Sequence, residues 1–141
     1  MNAQLNHLKR TLKNSNYSLT HPREAVFLSL QNQEPLSMKE LAGACPKIDR
    51  ASIYRTVALF EKLGIVHRVN IGWKYKIELS DSFHHHHHHL TCLKCGQVIP
   101  FEEDDQLLKS LSLVAASHNF SMESHQLEIQ GVCSMCTAAA T

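Results

Sequence analysis

Residues 49–79 read DRASIYRTVALFEKLGIVHRVNIGWKYKIEL, and this stretch decides the fold. Asp49 is placed to cap a helix from Arg50 to Leu63. Its apolar stripe is Ile53, Val57 and Phe60, and Gly64 stops it at the position where a left-handed residue closes a helix. Beyond the glycine, 65–70 and 73–79 are β-like and flank Ile71-Gly72, which predicts a hairpin. Upstream, Leu5, Leu8 and Leu12 recur at helical spacing. A second helix opens near Thr20 with Pro22 in its first turn and turns Val26, Phe27 and Leu30 inward. Ser37-Met-Lys-Glu40 is a capping-box pattern that starts a third helix containing Leu41 and Ala42. Short helices, a long amphipathic helix and a two-stranded hairpin together describe a winged helix-turn-helix.

The fourth helix turns Arg50, Ser52, Tyr54 and Arg55 away from its apolar stripe. A helix with such a polar N-terminal face can enter the major groove of duplex DNA and meet base edges and phosphates. Charge supports this reading. The 141 residues carry a formal net charge of +1, which taken alone argues against a polyanionic partner. Cutting after Ser80 reverses the inference: residues 1–80 hold 12 Lys/Arg against 6 Asp/Glu, a net of +6, and residues 81–141 hold 2 against 7, a net of −5. Phosphate neutralisation by the basic part supplies most non-specific affinity for DNA. The expected organisation is therefore a DNA-binding domain over 1–80 and a second domain over 81–141, divided near Ser80–Ser82.

The chain is too short for a large enzyme barrel or a dinucleotide-binding domain with a substrate domain attached. No run approaches the ~20 apolar residues of a membrane span, and the first residues lack the apolar core of a signal peptide. A cytoplasmic location is expected, where cysteines serve metals or redox chemistry rather than disulfides.

Four of the five cysteines lie in the acidic part, as Cys92-Leu-Lys-Cys95 and Cys133-Ser-Met-Cys136. Two such knuckles give tetrahedral sulfur coordination, for which Zn²⁺ is the expected ion. A redox dithiol of the thioredoxin type needs one pair, not two. Eight of the 11 histidines also lie there, six of them in the run His84 to His89. If 83–91 is a strand, successive imidazoles alternate faces, so one strand can furnish ligands to two metal sites. Downstream, 97–101 predicts a strand and 103–118 a helix with the stripe Leu107, Leu111, Val114 and His118. A further strand is expected over 125–131, alternating Leu127 and Ile129. A three-stranded sheet with one helix buries its surface poorly alone, so dimerisation is expected. A dimer would present two recognition helices to a palindromic operator.

The order of these features resembles the ferric uptake regulator (Fur) superfamily: a winged helix containing Thr20-His-Pro-Arg23 and Ala51-Ser-Ile-Tyr-Arg55, a His-rich strand, then Cys92-x-x-Cys95-Gly96 and Cys133-x-x-Cys136. The match spans roughly residues 5–136. The resemblance implies an α+β fold, an N-terminal winged-helix domain and a C-terminal dimerisation domain with a three-stranded antiparallel sheet and helix. It implies a homodimeric, metal-responsive transcriptional repressor of metal uptake or homeostasis genes, and not an enzyme. Cys92, Cys95, Cys133 and Cys136 take the structural-zinc positions. Tyr54 and Arg55 take positions that touch a base and a phosphate, and Arg23 another phosphate position. His87 and His89 match two histidines of a regulatory site at the hinge, Glu78 aligns with a further ligand there, and His67 coincides with a ligand of some zinc-uptake regulators. His86, His88 and His125 correspond to an additional site in the dimerisation domain.

Several residues depart from the family pattern. Pro35 stands where iron and peroxide sensors usually supply a histidine. Pro100 replaces an acidic hinge ligand, and Glu102, two residues on, is expected to substitute. Leu107 and Leu108 occupy the region where the additional site takes its carboxylate, which leaves that site either without its acid or with one borrowed from Glu103 or Asp104. Ser18 aligns with a basic minor-groove residue, with Lys13 nearby. The expected mechanism is a metal ion bridging the two domains, Zn²⁺ or Fe²⁺ with Mn²⁺ as a third candidate, that fixes the DNA-binding conformation. The alternatives are an iron-dependent peroxide sensor of the same family and a His-rich metal buffer. A zinc hydrolase or deaminase would need an open metal position and a His-x-Glu motif beside a Cys pair, and none occurs.

Overall fold

The computed structural model describes residues 3–32, 34–83 and 87–139. The chain divides into two units, Met1–His85 and His86–Thr141.

In the first unit, α1 (Ala3–Asn14), α2 (His21–Leu30), α3 (Met38–Ala44) and α4 (Arg50–Lys62) precede a hairpin of β1 (Val66–Ile71) and β2 (Lys74–Leu79). Local sequence sets each boundary. Ser37 Oγ accepts from the Glu40 N–H while the Glu40 carboxylate accepts from the Ser37 N–H, so the capping box forms at α3. Asp49 accepts from the Ser52 N–H at 3.0 Å to start α4, and Gly64 at φ 72° ends it. Ile53, Thr56, Val57 and Phe60 are buried, an i, i+3, i+4, i+7 stripe that packs α4 against α2. The core joins Leu8 and Leu12 of α1 to Phe27, Phe60, Ile77 and Phe83. Leu36 adds an antiparallel bridge to Ile77, tying the segment before α3 to the wing.

The hairpin turn is Gly72-Trp73, not Ile71-Gly72, because Ile71 pairs with Lys74 and is buried. Gly72, at φ 63°, fits the first central position of a two-residue turn, where a Cβ would be strained.

In the second unit, β3 (His88–Cys92), β4 (Val98–Phe101), α5 (Asp105–Ser117), β5 (Glu128–Gly131) and α6 (Ser134–Ala139) follow. The sheet order is β4-β3-β5. The expected all-antiparallel sheet is corrected: β3 pairs antiparallel with β4 but parallel with β5. After α5, residues 118–127 return the chain so that β5 runs in the sense of β3. The expected strand over 83–91 is also shorter. Phe83 is instead a core residue of the first unit, at 5.3 Å from the Phe27 ring, and β3 begins at His88. His84, His85 and His86 lie outside the described residues, and with them the expected role of His86. His125 precedes β5 rather than belonging to it.

No residue of α5 is buried. Leu107, Leu111 and Ala115 are half-buried, while Leu113 and Val114 are 61% and 62% exposed. On one sheet face Ile99, Leu90 and Ile129 form an exposed apolar row across three strands.

Candidate metal centres and DNA-binding surface

The tightest cluster is the thiolate set. Cys92 ends β3, Cys95 follows in the turn before β4, Cys133 precedes α6 and Cys136 lies in its first turn. Their four Sγ atoms lie within 4.8 Å of one another, with Cys95 and Cys133 Sγ at 3.7 Å. Zinc–sulfur bonds of ~2.3 Å at tetrahedral angles put sulfurs ~3.8 Å apart, so the donor set fits zinc. The backbone N–H groups of Cys95 and Cys133 point at Cys92 Sγ at 3.5 and 3.3 Å, and they pull its thiol down to about 6. The opposite holds at Cys136, where hydrogen bonding with the Cys133 thiol, then burial, push the group up to about 12. Four thiolates crowd too much negative charge to ionise together without a cation. The parallel β3–β5 pairing builds the set: Gly131 sits beside Cys92, and Leu93 N donates to Gly131 O at 2.8 Å. The short helix α6, not expected from the sequence, turns Cys136 back toward the knuckle.

Two histidine–carboxylate groups stand on neighbouring residues of β3, whose alternation sends them to different partners. His88 Nε2 lies 2.7 Å from Glu103 Oε2, and His125 Nε2 is 2.5 Å from the same oxygen. These three residues are close enough to share one ion. Hydrogen bonding to His88 foremost, and then to His125, holds the Glu103 carboxyl below its ordinary value. Glu103 is thus the acid of this group, and Leu107 and Leu108 need supply nothing. His89 Nδ1 lies 3.1 Å from Glu128 Oε1, and the His87 and His89 rings stand 4.7 Å apart. Glu102, the expected substitute for the acid lost at Pro100, lies just past β4. The strand ends at Phe101, and Glu102 is exposed and belongs to none of the metal-holding groups among the described residues.

In the first unit His67 on β1 faces Glu78 on β2 in register, and His67 Nε2 lies 2.7 Å from Glu78 Oε1. The Glu78 side chain is 5% exposed, so its carboxylate is nearly dry beside a histidine that is 37% exposed.

The face of α4 opposite the core carries the residues expected to meet DNA. Tyr54 is 49% exposed and Arg50 and Arg55 are exposed. The Arg55 guanidinium donates to Ser52 Oγ at 3.1 Å, and Ser52 Oγ donates to Asp49 at 2.6 Å, so the cap also orients Arg55. Arg23, in the first turn of α2, donates to Ser18 O at 2.7 Å and lies over the Tyr17 ring at 5.4 Å. Arg23 and Arg55 line one open cleft with Ser52 and Thr20, between the starts of α2 and α4. Two cations beside two helix N-termini form an anion-attracting surface.

Residues 14–130 match the sequence pattern of the ferric uptake regulator family. The chain belongs to that family. A ferric uptake regulation protein of Bacillus subtilis (strain 168) is 32% identical over 151 residues, covering 100% of this chain and 99% of the relative. Among solved structures, the Vibrio cholerae ferric uptake regulator superposes with a TM-score of 0.75 at 32% identity, over 89% of this chain and 99% of that one. The Helicobacter pylori Fur superposes with a TM-score of 0.81 over 96% and 92% of the two chains, a likeness of fold at 22% identity. The chain is thus a metal-responsive, DNA-binding transcriptional regulator of this family. No helix among the described residues is long and apolar enough to cross a membrane.

Glu128 is a partner of His89 that the sequence pattern did not point to. Its only signal is its place one residue before Ile129 in the β5 alternation, which puts it on the face of His89 once β5 is known to pair with β3.

Proposed function

We propose that this chain is a cytoplasmic homodimeric repressor whose affinity for a palindromic operator is set by a divalent ion. The sensed ion is Zn²⁺ or Fe²⁺, with Mn²⁺ as a third candidate, and it controls metal uptake or homeostasis genes. The four cysteines hold a structural Zn²⁺, and their closed set leaves no position for exchange. The carrying observation is that this set is separate from the histidine–carboxylate groups, whose ligands suit exchangeable metals. His67 and Glu78 of the hairpin, together with His87 and His89 of the second unit, are the proposed regulatory ligands. His88, Glu103 and His125 are proposed as the additional site. An ion that takes ligands from both units favours one conformer, and metal and operator then bind with reciprocal coupling, typically ~1–3 kcal/mol.

Tyr54, Arg55 and Arg23, with Arg50 and Ser52, are the proposed DNA contacts. The exposed apolar row Leu90, Ile99 and Ile129, with the uncovered flank of α5, supports dimerisation through the second unit. Operator binding at fixed salt, followed while Zn²⁺, Fe²⁺ or Mn²⁺ is added to protein that retains its tight zinc, tests the reading. Affinity should rise by roughly 5- to 150-fold with the cognate ion; indifference to all three ions contradicts it.

A further inference from the structure

The sheet of the second unit places three residues in one row: Pro100 on β4, His89 on β3 and Glu128 on β5. His89 is 2% exposed, so its imidazole is oriented by protein groups rather than by solvent. A carboxylate accepts hydrogen bonds and does not donate them. With Glu128 Oε1 at 3.1 Å, the neutral ring therefore carries its proton on Nδ1. That tautomer leaves the lone pair on Nε2, the atom available to a metal. On the other flank, Pro100 brings neither a side-chain acceptor nor a backbone N–H.

We propose that Glu128 is the positioning residue of the regulatory metal site. It fixes the His89 tautomer and ring plane and raises the basicity of Nε2, without itself ligating the ion. The inference rests on the reading that His87 and His89 hold the sensed metal, and it adds a residue from the far edge of the sheet. The acidic side chain beside His89 is supplied by the parallel neighbour β5 instead of the antiparallel neighbour β4. A histidine metal ligand commonly donates its other N–H to a carboxylate, and loss of that partner typically weakens metal binding by ~10- to 100-fold.

The test compares Glu128→Leu and Glu128→Gln with the parent chain, all with the thiolate zinc loaded. Nitrogen-edited NMR of the His89 ring, recorded before any second metal is added and at a pH where the imidazole is neutral, reads the tautomer. Calorimetric titration with Zn²⁺, in chains that also carry His125→Ala to remove the additional site, reads the second, regulatory zinc. The parent should show the Nδ1–H tautomer. Glu128→Leu should lose it and bind the second zinc ~10- to 100-fold more weakly. Glu128→Gln, whose amide oxygen still accepts from Nδ1–H, should keep the tautomer and most of the affinity. An unchanged tautomer and affinity in Glu128→Leu would overturn the proposal. So would a Glu128→Gln chain that keeps the tautomer yet binds as weakly as Glu128→Leu, because the carboxylate would then be a ligand. Should His89→Ala bind the second zinc as the parent does, the reading of the regulatory site fails by itself. The NMR comparison still decides separately whether Glu128 sets the ring.

Discussion

Replacing Cys133 by Ser should unfold the second unit and leave the first one folded. Among the described residues, Cys92 and Val98 are the only buried apolar side chains of His86–Thr141, and α5 buries none. Fully burying an aliphatic side chain contributes only ~1.5–3 kcal/mol. A structural zinc held by thiolates contributes ~10–16 kcal/mol at neutral pH, so the ion outweighs the apolar core several-fold. Cys133 belongs to that set, 3.7 Å from Cys95 Sγ and with its backbone N–H on Cys92 Sγ. The first unit has a separate core built on Phe27 and Phe60, which does not depend on zinc. Elemental analysis of the purified variant reads the zinc, and amide exchange by NMR reads each sheet. Protection of Leu90 and Thr91 should vanish, while that of Val66 to Ile71 persists. A variant that holds no zinc yet protects the β3 amides as the parent does would refute the reasoning.

Arg55→Ala should weaken DNA binding and lower the slope of log affinity against log salt by ~0.9, the share of one phosphate; filter binding at several salt concentrations measures it. Phe60→Ala, at a fully buried position, should cost ~3–5 kcal/mol in urea unfolding of the first unit with the fold otherwise kept. Asp49→Ala should lower the melting temperature of the first unit at pH 7. Hydrogen bonds from Ser52, side chain first and then backbone, hold the Asp49 carboxyl below its ordinary 3.8. Its stabilisation is therefore present above that value and fades as pH falls through the depressed one. Melts of parent and variant should converge in that acid limb and nowhere else.

Local chemistry made the first unit legible. The α4 stripe, the capping box at Ser37 and the Gly64 stop each depend on residues within one or two turns, and each forms as the spacing requires. The paired knuckles were legible because thiolate spacing carries its own geometry. The histidine run was not, since six identical side chains carry no phase and any start gives the same alternation. Phe83 is buried in the first unit and β3 begins at His88, and both are tertiary facts. The partner Glu128 was hidden for a related reason. Glu128 meets His89 only through the parallel β3–β5 register, across 39 positions of sequence. Glu102 looked right by strand alternation, but the strand stops one residue earlier.

The central claim is that metal at the histidine–carboxylate ligands governs DNA binding through α4. The most direct measurement titrates operator binding with Zn²⁺, Fe²⁺ and Mn²⁺ in turn, at fixed salt, for the parent, His89→Ala and Tyr54→Ala/Arg55→Ala chains with the thiolate zinc retained. The account predicts a metal-dependent gain of roughly 5- to 150-fold for the parent. It predicts loss of that gain with basal binding kept in His89→Ala, and loss of binding with metal uptake kept in the double variant. Operator affinity that is equal with and without each metal in the parent, or a full metal-dependent gain in His89→Ala, would contradict it.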